Sequence, residues 1–233
     1  MSRERPARHR QRRRGERGQL FHDFHFPRGG IRHFGTNLAC AAASASSVPL
    51  PTSLGGVTVQ VNGTKVPLYY VSAGQINAQM PYGISPGTVT LTVTGPGGTS
   101  AGYSLPVIAA GPGIFQIGTQ AAAINSDGTV NSASHPAKAG SYVSVYMTGQ
   151  GPVNPAVATG AAAPASPLSN ATSSYSATIG GQPVTVYFLG LAPGFVGLGQ
   201  ANLQVPNLAA GSYPVILTVN GVSSAAAPIT ISN

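Results

Sequence analysis

The chain has 233 residues, 42% of them hydrophobic and only 7% charged, with 31 Gly, 20 Pro, no Trp and one Cys. That length buries one large core or two ordinary ones, the composition is too apolar for intrinsic disorder, and a lone cysteine rules out an intrachain disulfide. The net charge of +8 is uneven: residues 1–33 hold ten Arg against Glu4, Glu16 and Asp23, and the rest holds only Lys65, Lys138 and Asp127.

The opening stretch "RERPARHRQRRRGERG" sets two expectations against each other. Arg forks suit phosphate and bind nucleic acid through counterion release. A run of like charge without a recognition motif is a self-repelling, disordered tail. The body attached to it is nearly uncharged, so residues 1–30 are expected to be such a tail, and nucleic acid is not the expected partner. His22, His25 and His33 cluster beside Asp23 but lack cysteines at finger spacing, so no metal site is expected. "LFHDFHFPRGGIRHF" is too interrupted for the apolar core of a signal peptide, and no apolar run reaches the ~18 residues of a membrane span. Cys40 reads as an ordinary small residue, buried or half-buried.

From residue 31 the chain reads as short strands. "VTVQV-NG-TKVPLYYV" is an alternating run, an Asn-Gly pair and a second run, the signature of a two-residue hairpin. Next comes "GQINAQMP", in which Gln75, Asn77 and Gln79 share one strand face while Ile76, Ala78 and Met80 share the other. "GTVTLTVTG" (87–95) is a further alternating strand. In "GISPG" (83–87), Ser85 matches the spacing of a nucleophile elbow. The following residue is Pro86, which has no N–H for an oxyanion hole, so the match is rejected.

The second half repeats this order. At a spacing of 118, "VPLYYV" (66–71) meets "VTVYFL" (184–189), and Asn62-Gly63 meets Gly180-Gly181. Seven further residues around "LAPGFVG" change the spacing to 125, where "GQINAQMP" meets "GQANLQVP" with Gln200, Asn202 and Gln204 in the polar places. "GTVTLTVTG" then meets "GSYPVILTVNG" (211–221), read with two residues inserted. Between the copies, Asp127-Gly128 is another hairpin turn, and "SYVSVYMTGQGP" (141–152) is a strand running into a Gly-rich bend. The Ala-rich stretch "AVATGAAAPASPLSNATSS" is interrupted by Gly160, Pro164 and Pro167, and is expected to be loop.

"FGTNLA", "PLYYVSAGQINAQMP", "APGIF", "AINSDGTVNS", "YMTGQGPV", "LAPGFVGLGQANLQVP" and "GSYPVILTVNGVSS", in this order, resemble the uncharacterised C-terminal domain of acidobacterial (Solibacter-type) exported proteins. The first half also resembles an IPT/TIG-like immunoglobulin module. The resemblance spans 31–233 and implies an extracellular or cell-surface setting with no established catalytic role.

The expected fold is therefore all-β: two tandem immunoglobulin-like β-sandwiches, an IPT/TIG-like one over 31–110 and one with an extra hairpin over 111–233. The expected function is a non-catalytic structural or adhesion-type binding module, monomeric as an isolated chain and needing no cofactor. Its candidate binding residues are Gln75, Asn77, Gln79, Tyr82, Gln200, Asn202 and Gln204, and its partner is a polysaccharide or another extracellular protein. A carbohydrate-binding module is the first alternative, with Tyr69, Tyr70, Tyr82 and Tyr187 as candidate sugar platforms. Nucleic-acid binding through the Arg-rich tail is the second. For the amides themselves a plainer account competes: uncharged side chains on a solvated sheet face hydrogen-bond one another.

Overall fold

A computed structural model describes residues 30–233, with the backbone alone for Gly30 and 32–34. The Arg-rich tail and the cluster of His22, His25 and the His33 side chain lie outside the described residues.

Nine strands fill the first half: β1 (Gly30–Phe34), β2 (Ala43–Ser44), β3 (Thr58–Val61), β4 (Thr64–Lys65), β5 (Leu68–Val71), β6 (Gln75–Gln79), β7 (Gly87–Gly95), β8 (Gly98–Thr99) and β9 (Tyr103–Val107). They make two sheets, one ordered β1-β6-β5-β2 and the other β4-β3-β7-β8, with β9 also paired to β7. Every second side chain of β3, β6 and β7 points inward, so Val59, Val61, Ile76, Ala78, Leu91 and Val93 close one buried cluster between the sheets.

Fifteen strands follow in the second half: β10 (Gly113–Ile114), β11 (Gln116–Ile117), β12 (Gln120–Ala121), β13 (Ala123–Asn125), β14 (Ala137–Lys138), β15 (Tyr142–Thr148), β16 (Val153–Asn154), β17 (Asn170–Ala171), β18 (Tyr175–Ile179), β19 (Gln182–Val184), β20 (Val186–Leu191), β21 (Gly199–Gln204), β22 (Gly211–Val219), β23 (Val222–Ser223) and β24 (Ala227–Ser232). One sheet runs β10-β15-β21-β20-β17-β16 with β13 also on β15; its partner runs β14-β24-β22-β18-β19 with β23 on β22. Val143, Val145, Leu189 and Leu203 from the first face Ile179, Val215, Leu217 and Ile229 from the second in a separate buried cluster. The described chain is all-β, a tandem of sandwiches without a helix.

The turns are where local chemistry fixes the register. Asn62 and Gly63 have φ of 49° and 79°, and Gly180 and Gly181 have 60° and 80°, the left-handed pairs that join twisted strands without splaying them. A Cβ at Gly63 meets nothing within 4 Å, so the conformation alone demands glycine. Gly63→Ala is expected to cost about 1–2 kcal/mol through backbone strain, read as a lower urea midpoint.

Two expectations are corrected. Cys40 is exposed, because it follows the buried Leu38-Ala39 pair as the chain turns outward before β2. The two residues read as inserted in 211–221 are not there: β7 and β22 both have nine residues. Gly87 opposite Val107 matches Gly211 opposite Ile231, so the repeat continues at a spacing of 124. Asp127-Gly128 does turn the chain, with Gly128 N donating to Asn125 O at 2.9 Å. A short hairpin from β11 and β12 stands beside it, one that "FQIGTQA" did not announce because it is only two residues per strand.

Candidate functional site

The doubled motif lies where alternation puts it, on the inner strand of one sheet in each sandwich. Ile76 and Leu203 are fully buried. On the other face, Gln75 Nε2 donates to Asn77 Oδ1 at 2.6 Å, and Gln200 Nε2 donates to Asn202 Oδ1 at 2.8 Å. The polar letters are repeated because the same amide-to-amide bond is built twice, two residues apart along one face. Ser144 Oγ, across the ladder from Asn202, donates to the same oxygen at 2.9 Å.

The third amide separates the copies. Gln204 is half-buried, whereas Gln79, expected on the solvated face, is only 1% exposed. Its Oε1 accepts the backbone N–H of Gly160 at 2.7 Å. The physical reason is a neighbour: loops of the second half lie over this end of the first. Leu50 N donates to Gly160 O at 2.8 Å, Tyr82 N to Thr159 Oγ1 at 3.0 Å, and the Tyr69 hydroxyl to Val196 O at 3.1 Å. Gly160 has φ of 85°, and a Cβ there would meet Pro67 Cγ at 3.2 Å, so conformation and close approach both require glycine.

These contacts redirect the aromatic candidates. Burial pushes the Tyr69 phenol well above its usual pKa, and the neighbouring Tyr82 adds to the shift. Burial raises Tyr82 as well, while the Gln79 amide beside it works the other way. Both tyrosines belong to the seam, and both are half-buried there. Tyr70 is half-buried, and Tyr187 is 62% exposed.

Beside the seam opens a cleft of about 1100 Å³. Met80, Ile84, Leu105 and Val107 line it from the first half, and Gln150 and Val157 from the second. None of its described lining residues is charged. Near it, Gln150 Oε1 is buried with no hydrogen-bond partner among the described residues, and the buried Tyr82 hydroxyl lies beside the Gln79 amide. Sequence reading missed this place, since Gln150 in "TGQGP" reads as bend, and only the apposition of two halves gives it a function.

The remaining chemical candidates are accounted for locally. Ser85 is exposed and followed by Pro86. The His135 Nδ1 lies 3.1 Å from Ser134 Oγ. Among the described residues no group of three His, Cys, Asp or Glu is placed to hold a metal ion, and no helix is long and apolar enough to cross a membrane. The exposed Asp127 accepts from Thr129 Oγ1 at 2.7 Å and from Thr129 N at 2.9 Å, and these bonds hold its carboxyl below the usual range. A folded-state pKa lowered in this way gives stability above the unfolded-state pKa, lost as pH falls through the folded value. Thr129→Val is expected to move the Asp127 carboxyl titration upward, read by carbon chemical shift.

No protein-family model matches the chain, and no curated protein does. Solved structures do match loosely. SGBP-B of the Bacteroides ovatus mixed-linkage glucan utilization locus, solved with a mixed-linkage heptasaccharide, is 16% identical over 88% of this chain and 42% of its own, with a TM-score of 0.35. SGBP-B of a Bacteroides uniformis xyloglucan utilization locus is 15% identical over 91% of this chain and 49% of its own, at 0.31. Tandem immunoglobulin domains of titin are 10% identical over 76% of this chain and 81% of their own, at 0.24. The chain thus spans less than half the length of the two glucan-locus proteins. These are loose likenesses, and no ligand or activity passes from them to this chain.

Proposed function

We propose that this chain is a non-catalytic structural or adhesion-type binding module of an exported bacterial protein, displayed outside the cell. One observation carries the reading: the polar side chains of the doubled motif hold one another or hold the two halves together. Gln75 and Gln200 bond the asparagines beside them, and Gln79 bonds the second half's Gly160. The ordered run of motifs resembling acidobacterial exported C-terminal domains supports the setting. Assays for ester, peptide and glycan hydrolysis are expected to show no turnover. Reproducible turnover abolished by Ser85→Ala or His135→Ala would overturn the proposal.

A second reading, binding of a neutral polysaccharide, is favoured by one surface. On the outer face of the β15–β21 pair, Tyr142 stands opposite Gln204, Ser144 opposite Asn202 and Tyr146 opposite Gln200. This uncharged row of aromatics and amides offers stacking and hydrogen bonds to a sugar chain. On a glycan array this reading expects saturable binding that Tyr142→Ala and Tyr146→Ala abolish; binding unchanged by both would remove it.

A further inference from the structure

Laid strand on strand, every element of the first half has a counterpart in the second. β1 matches β15, β2 β17, β3 β18, β4 β19, β5 β20, β6 β21, β7 β22, β8 β23 and β9 β24. The second half has more: β16, the β11–β12 hairpin, and three strands on the outer edges, with β10 and β13 on β15 and β14 on β24. Among the described residues β1 and β9 have no such partners on those edges.

In the second half this added strip closes the sandwich. Asn131, 2% exposed, donates from Nδ2 to Thr230 O at 2.8 Å and accepts from Thr230 N at 2.7 Å. Ala137 pairs with Ile231 in parallel, Ala139 N donates to Ser232 O at 2.9 Å, and Gly140 N donates to Val205 O at 3.0 Å. Val205 and Ile231 beneath the strip are each 1% exposed. Their counterparts in the first half are Met80 and Val107, both only half-buried. Both line the 1100 Å³ cleft, which opens where the strip would run.

We propose that this cleft accepts an extended peptide strand donated by a second polypeptide, which completes the first sandwich along β9 as 131–140 completes the second. The inference goes beyond the proposed function and does not depend on whether a glycan binds elsewhere. Two features select a peptide. The outer edge of β9 presents backbone groups for strand addition. The described lining of the cleft, Met80, Ile84, Leu105 and Val107 among Tyr, Pro, Gly and Ala residues, carries no charge. The strand carries small apolar residues as at Ala137, with an Asn at the place of Asn131. That Asn bonds one backbone group where Asn131 bonds two, since Thr230 is replaced by Pro106, which has no N–H.

Residues 1–29 precede Gly30, which pairs with Gln79, the neighbour of Met80 in the cleft. Their charge does not suit it. At the spacing of 112 that lays β1 on β15, Arg13 falls on the buried Asn125 and His25 on the fully buried Ala137. The described lining of the cleft offers no acid to pair with them, and an unpaired buried charge is costly.

The test uses the full chain and a fluorescent peptide of residues 121–140, read by anisotropy. The expected result is saturable binding weakened at least about tenfold by Val107→Arg in the protein, with circular dichroism showing that the variant stays folded, and about as much by Ala137→Arg in the peptide. No binding, or binding indifferent to Val107→Arg, would overturn the proposal. So would equal affinity for a peptide of residues 9–28, which would make the chain's own leader the occupant. Displacement by a neutral oligosaccharide would overturn the choice of a peptide.

Discussion

Leu203→Ala is expected to lower the unfolding free energy by about 3–4 kcal/mol, the usual cost of emptying a well-packed leucine site. Leu203 is fully buried, between Val143 on one strand and Val186 on the other. The matching row in the first half is Ile31–Ala78–Leu68. There the small residue is central and the large ones flank it; in the second half the order is reversed. Row volume is kept while its distribution is not. Adding Ala201→Ile to Leu203→Ala would therefore give the second half the inner residues of the first without rescuing it. Ala201 sits between Val145 and Leu189, and a larger side chain there overpacks by about 1–3 kcal/mol. Urea unfolding measures both variants. A loss under about 1 kcal/mol for Leu203→Ala, against the usual range for buried leucines, would show that the row collapses freely and that the packing argument is wrong.

Gln79→Ala is expected to cost about 2–3 kcal/mol, because it strips the buried Gly160 N–H of its acceptor and opens a gap in the seam. Gln204→Ala, at the repeated position, is expected to cost less than about 0.5 kcal/mol, since Gln204 has no comparable burial. Hydrogen exchange at the Gly160 amide supplies a local reading: faster in Gln79→Ala, unchanged in Gln204→Ala. Equal effects for the two substitutions would show that the seam does not distinguish them.

That contrast marks how far the residues alone reach. The alternation of Gln-x-Asn-x-Gln exposes the strand, its faces and its repetition, because a two-residue period is a local property of the backbone. Asn62-Gly63 and Gly180-Gly181 likewise announce their turns through a conformational demand that few residues meet. The fate of Gln79 is not local. It is set by Gly160, 81 positions away, and nothing in "NAQMP" differs in kind from "NLQVP". The cleft is hidden for the same reason, since its two walls are distant in the chain. The short β14 escapes notice because two residues carry no period, although its Ala137 is as buried as any strand residue.

Only residues 108–112 join β9 to β10, and bonds from Tyr69, Gln79, Tyr82 and Leu50 reach across on one side. A tether that short, braced off its own axis, behaves as a bracket and not as a swivel. Whatever is fused beyond Asn233 would then keep a fixed heading relative to whatever grips the first sandwich, and a pull on one end would turn the other before it stretched the joint.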